Sequence, residues 1–137
     1  MITPSPSRRI VFVVANPATS ALTNWPIGFW LSEVAHPYWE FVKQGYAITI
    51  ASPDGGAVLA DRISDPEHMP ESTDFVSYGF KHHPTTAALL QNTTPLSEIS
   101  VANYDGIFVI GGLSPIYTFI DLSRLHDLFA AFYEQGK

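Results

Sequence analysis

The sequence predicts an α/β domain, a parallel sheet with helices packed on both of its faces. Three runs of β-branched and aromatic residues, "RIVFVV" (9–14), "YAITIAS" (46–52) and "YDGIFVIGG" (104–112), have the near-continuous apolar character of strands buried on both faces. The segments between and after them carry apolar residues at helical spacing. Strands and amphipathic helices therefore alternate, which is the pattern of a parallel, doubly covered sheet.

Taken in order, residues 1–8 hold two prolines and three Ser or Thr residues and read as a loose tail, so that the domain proper is 9–137. After the first strand, "ANPATSALTNWP" is a loop rich in Pro, Asn, Ser and Thr. A helix is expected to start near Thr23 or Asn24 as cap, with Pro26 in its first turn. Ile27, Trp30, Leu31, Val34, Tyr38, Phe41 and Val42 recur along it at helical spacing, Pro37 should kink or split it, and Gly45 should end it. "PDGG" after the second strand is a turn. Residues 57–83, with five acids in "DRISDPEHMPESTD", read as a long surface excursion with one helical turn. "TTAALLQN" after Pro84 is a short helix. Residues 95–103 form a further turn with Leu96, Ile99 and Val101 inward. In 121–136, Leu122, Leu125, Leu128, Phe129, Phe132 and Tyr133 share one face, with Asp121 as cap and Gly136 as stop. An α/β domain would normally feed another strand after such a helix, so the pattern looks interrupted at Lys137.

Composition narrows the function. At 137 residues, 46% hydrophobic and 15% charged, the chain can build one core and is too apolar for disorder. The net charge is −6 and the only basic cluster is Arg8-Arg9, which argues against nucleic-acid binding. No run of eighteen apolar residues exists to span a membrane, and the N-terminus does not read as a secretory signal. The absence of cysteine excludes a disulfide scaffold and fits a cytoplasmic protein.

In such sheets ligands bind at the carboxyl ends of the strands. There lie the loop after Val14, the Asp54-Gly55-Gly56 turn and the pair Gly111-Gly112, whose backbone N–H groups could approach a ligand oxygen. Gly111-Gly112 is not a phosphate loop, since no Lys-Ser/Thr follows and no G-x-G-x-x-G exists, and no cofactor is expected. Glu33 lies on the helix that follows the first strand's carboxyl end. At about 100° per residue it falls roughly 120° from the centre of the helix's apolar face, which by itself marks a surface residue near a helix N-terminus. His82-His83 and Glu67-His68 are the only candidate metal ligands, and they lack the i, i+4 helical spacing of a zinc site, so no metal is expected. His36, before Pro37, reads as structural. No G-x-S-x-G motif supports a serine hydrolase.

Taken together, Gly28-Phe29-Trp30, Glu33, His36-Pro37-Tyr38, Ala51-Ser52-Pro53 and Gly55-Gly56, with the "YDGIFVIGG" strand, resemble the ThiJ/PfpI family of the class I glutamine amidotransferase-like superfamily. The similarity extends over residues 9–137 and is greatest to the branch of heat-shock chaperones and cofactor-independent glyoxalases. The resemblance implies a flavodoxin-like sandwich, often dimeric, acting on small 2-oxoaldehydes such as methylglyoxal or as an amidohydrolase. It implies that Glu33 is the acid partner of a nucleophilic cysteine and that the backbone at Gly111, Gly112 and Leu113 forms the oxyanion site. A glutamate so placed can stabilise a thiolate and shuttle a proton. This chain departs from the pattern in two respects. Gly111-Gly112-Leu113-Ser114-Pro115 stands where the family reads Gly-Gly-His-Gly-Pro, and the Ala-x-Cys-His-Gly elbow is expected just beyond Lys137. The expectation is an inactive amino-terminal part of such an enzyme. The alternatives are a chaperone-like or binding module completed by a partner chain or by homo-oligomerisation, and, least supported, a flavin or nucleotide binder.

Overall fold

In the computed structural model, which describes residues 8–72 and 74–137, four strands form one parallel sheet. They are β1 (Arg8–Val13), β2 (Tyr46–Ser52), β3 (Thr94–Pro95) and β4 (Gly106–Val109), in the spatial order β3-β2-β1-β4. Ile10 lies beside Ile48 on one side and Gly106 on the other. The expected tail lies outside the described residues except for Arg8, which already belongs to β1.

The helices are α1 (Leu31–Lys43), α2 (Phe75–His82), α3 (Pro84–Gln91), α4 (Leu113–Thr118) and α5 (Ser123–Glu134). Because side chains alternate along β1, Ile10, Phe12 and Val14 pack with Leu31, Val34, Tyr38, Phe80 and Leu90, whereas Val11, Val13 and Ala15 pack with Leu125, Leu128 and Phe132. α1, α2 and α3 thus cover one face and α5 the other, and β1 is buried on both sides as its composition required.

Several boundaries differ from the sequence expectation. α1 begins at Leu31 rather than near Asn24. Asn24 instead sits in the left-handed region (φ 56°), closing a turn in which its N–H donates to the Ser20 carbonyl. Residues 28–30 are extended and are captured by neighbours on both sides, which outweighs their helical periodicity. Pro37 does not split α1. Its missing N–H deprives the helix of one bond, to the Glu33 carbonyl, on a flank that faces solvent. Gly45, at φ 81°, terminates the helix as expected.

The 57–83 excursion contains a full helix, α2, which the sequence reading omitted. Its β-branched and aromatic residues and Gly79 are poor helix formers, but Asp74 caps it, accepting from the Ser77 N–H at 2.7 Å. α4 and the two-residue β3 were also omitted. Among the described strands β4 lies at the edge of the sheet, and it is only half-buried rather than a buried strand, with Phe108 36% exposed. α5 starts at Ser123 with no side-chain cap, so Asp121 does not serve as one, and Phe129 and Tyr133 face outward.

Candidate active site

The site is built around the extended residues Gly28, Phe29 and Trp30. On one side the Asp61 N–H donates to the Phe29 carbonyl at 2.8 Å; on the other the Trp30 N–H donates to the Gly111 carbonyl at 2.9 Å. This crossing of three backbones accounts for two glycines. A Cβ on Gly28 would lie 2.3 Å from the Asp61 nitrogen, and one on Gly112 would lie 2.4 Å from the Gly28 carbonyl oxygen. Gly112 also adopts φ 122°, which favours glycine.

Glu33 occupies the first turn of α1, immediately beyond this crossing. Its Oε2 accepts the Gly111 N–H at 2.7 Å across 78 residues of sequence. A Cβ on Gly111 would come within 2.6 Å of that same oxygen. The Gly111 residue is therefore clamped at both ends: its carbonyl accepts from Trp30 and its N–H donates to Glu33. Gly112 forms an antiparallel bridge with Phe29, and just beyond it the Ser114 N–H donates to the Gly28 carbonyl at 3.1 Å. Of the backbone donors assigned to an oxyanion site, the Gly111 N–H is thus engaged by Glu33. Glu33 itself is exposed and forms no ion pair among the described residues. A lone carboxylate held by a neutral donor at a helix N-terminus is equipped to accept or return a proton.

A second polar group lies at the ends of β1 and β2. Asn16 Nδ2 donates to Ser52 Oγ (3.0 Å) and the Gly55 carbonyl (3.1 Å), and its Oδ1 accepts the Asp54 N–H (2.7 Å). Buried Ser52 in turn shares a 2.6 Å hydrogen bond with Thr93, which donates to the Gly56 carbonyl. The sequence marks both the loop after Val14, which contains Asn16, and the Asp54-Gly55-Gly56 turn; the signal for Asn16 itself is its position just past the buried Val14-Ala15 pair.

No protein-family model and no curated protein matches the sequence. Among solved structures, the chain is similar to the 24 kDa Rapid Encystment Protein of Francisella tularensis, with a TM-score of 0.81 at 23% identity over 93% of this chain and 55% of that one. It is similar also to glyoxalase III from Candida albicans, with a TM-score of 0.76 at 19% identity over 94% of this chain and 54% of that one. A third crystallised protein is 31% identical, with a TM-score of 0.75 over 96% of this chain and 54% of that one. The fold is of the ThiJ/PfpI type. The chain spans about half the length of each of these structures.

Within this ThiJ/PfpI-type fold no histidine is a hydrogen-bond partner of Glu33 or Gly111 among the described residues. His36 Nε2 meets Asp74 Oδ1 at 3.0 Å and ties α1 to the cap of α2. His68 meets Asp65 and His82 meets Glu67, and the Lys81 ammonium joins the two carboxylates, contacting Asp65 at 2.6 Å and Glu67 at 2.5 Å. His83 accepts the Thr85 N–H at the start of α3. Burial pushes Asp65 up, but hydrogen bonds from Lys81, the Glu67 N–H and His68 outweigh it and hold the carboxyl below its usual range. Burial likewise opposes the Lys81 charge, and Asp65 and Glu67 more than restore it, leaving Lys81 above its usual value. Among the described residues no group of three or more acids and histidines is arranged to hold a metal ion. No helix among them is long and apolar enough to cross a membrane.

Proposed function

We propose that these residues carry the acid half of a cysteine-dependent ThiJ/PfpI-type site for small 2-oxoaldehydes, with Glu33 as proton-transfer acid and the backbone at Gly111, Gly112 and Leu113 as the oxyanion-binding edge. The observation that carries this reading is the 2.7 Å contact of Glu33 with the Gly111 N–H, which joins the acid to the glycine pair at the carboxyl edge of the sheet. The glyoxalase III likeness in fold agrees with it. The 137 residues contain no cysteine, so a thiol must come from another segment or chain, and this chain alone should not turn over the substrate. The test is incubation of the purified chain with methylglyoxal. No consumption above the blank is expected, and consumption that falls on Glu33→Gln would defeat the claim of inactivity while supporting the role of the acid.

A second reading, a binding module completed by a partner chain or a second copy, is favoured by the free edge of β4. Phe108 on the strand and Phe129 and Tyr133 on α5 are exposed, and β4 pairs with β1 alone among the described strands. Size measured across a dilution series distinguishes the two readings: association at higher concentration supports the module, and a monomer at every concentration counts against it.

A further inference from the structure

α1 has an unusual beginning. Its cap position is Trp30, which offers no side-chain acceptor. Leu31, the first helical residue, is fully buried, so its N–H cannot turn to water. That N–H donates instead to Ser64 Oγ at 3.0 Å, a cap supplied from 33 residues away. Ser64 is itself held by a compact turn. Its N–H and its hydroxyl both donate to the Asp61 carbonyl at 2.9 Å, and Asp61 Oδ1 accepts the Ile63 N–H at 3.0 Å. The same Asp61 donates its own N–H to Phe29. The Asp61–Ser64 turn therefore grips the chain on both sides of Trp30, at Phe29 and at Leu31, while Trp30 and Glu33 reach across to Gly111.

We infer that Ser64 is a positioning residue for Glu33: by capping α1 from outside the helix it fixes the first turn at the angle that delivers the carboxylate to the Gly111 N–H. The inference rests on the reading of Glu33 as the acid, but concerns its placement, which is measurable without turnover. Without the Ser64 acceptor, the buried Leu31 N–H is left unpaired, and the first turn gains by unwinding toward water. Glu33, two residues further on, moves with it.

The test follows the Gly111 amide proton by NMR across a pH series. In the unmodified chain its shift should respond to the charge on Glu33, because a donor bonded to an ionised acceptor senses the loss of that charge, and Glu33→Gln should erase the response. Ser64→Ala should remove most of the Gly111 amplitude while Ser64→Thr, which retains a hydroxyl, keeps it. Leu128→Ala, which destabilises the opposite face of the sheet, should leave it unchanged. Full Gly111 amplitude in Ser64→Ala, or equal loss in Leu128→Ala or Ser64→Thr, overturns the inference. Should Ser64→Ala fail to fold, Ser64→Cys, of similar size but a poorer acceptor, is read by the same criterion. Failure of the methylglyoxal reading would leave these amide titrations as they are, so the two claims fail separately.

Discussion

Asp65 is buried and is met by the Lys81 ammonium at 2.6 Å and the His68 ring at 3.3 Å, whereas Glu33 is exposed and is met by the backbone N–H of Gly111 at 2.7 Å. Both carboxylates are reached over long sequence separations, yet they are held for different ends. Asp65 needs a cation because burial penalises its charge, and with Lys81 and Glu67 it fastens the 61–69 loop to α2. Glu33 keeps its hydration and makes one bond to a neutral donor. The lesson is that a carboxylate held below its usual range is here a structural fastening. The candidate acid is recognised by where it points, at the glycine pair where the strands end.

That contrast can be broken from either side. The largest effect should come from the crossing that supports Glu33: Gly28→Ala forces a Cβ to within 2.3 Å of the Asp61 backbone, where no flexible side chain can yield. A loss of about 3 kcal/mol or more is expected in denaturant unfolding. Next, Lys81→Met leaves Asp65 buried beside His68 but without its ammonium, and should lower stability by about 2 kcal/mol at neutral pH. The third prediction concerns the pH dependence of that loss. Because the folded state lowers the pKa of Asp65, the stability it contributes is present above the ordinary carboxylate value, near about 4, and is lost as pH falls through the lowered one. The stability gap between the unmodified chain and Lys81→Met should therefore narrow below about pH 4; a constant gap would separate Lys81 from Asp65. The smallest effect belongs to Glu33→Gln. The residue is exposed and the amide oxygen can still accept from Gly111, so thermal unfolding should change by less than about 0.5 kcal/mol. A large change would make Glu33 a structural residue like Asp65 and sharply weaken its reading as the acid.

Legibility followed the range of the interactions involved. β1 and β2 were readable because a strand buried on both faces needs apolar residues at every position, and "RIVFVV" and "YAITIAS" supply them. Gly45 was readable because a left-handed helix stop is a local demand. α2 was not, because its residues have weak helix propensity and its formation depends on the Asp74 cap and on burying Phe80 against Tyr38. The start of α1 was misplaced because residues 28–30 have a helical pattern but are drawn into extended pairing by Asp61 and Gly111. Periodicity by itself made Glu33 a surface residue, which by exposure it is. Only the surrounding family-like pattern singled out Glu33, and nothing local pointed to Ser64.

The sequence by itself determined the class of fold, the two strands at the heart of the sheet, the apolar face of α1 and the absence of any cysteine among the 137 residues. These rest on side-chain period and composition, which act within a few residues. Tertiary structure alone decided where α1 begins, that β4 lies at the edge of the described strands, and that Glu33 meets Gly111 under a cap lent by Ser64. Those outcomes depend on backbone groups far apart in sequence finding partners once buried, and a hydrogen-bond requirement of that kind leaves no periodic trace in the chain.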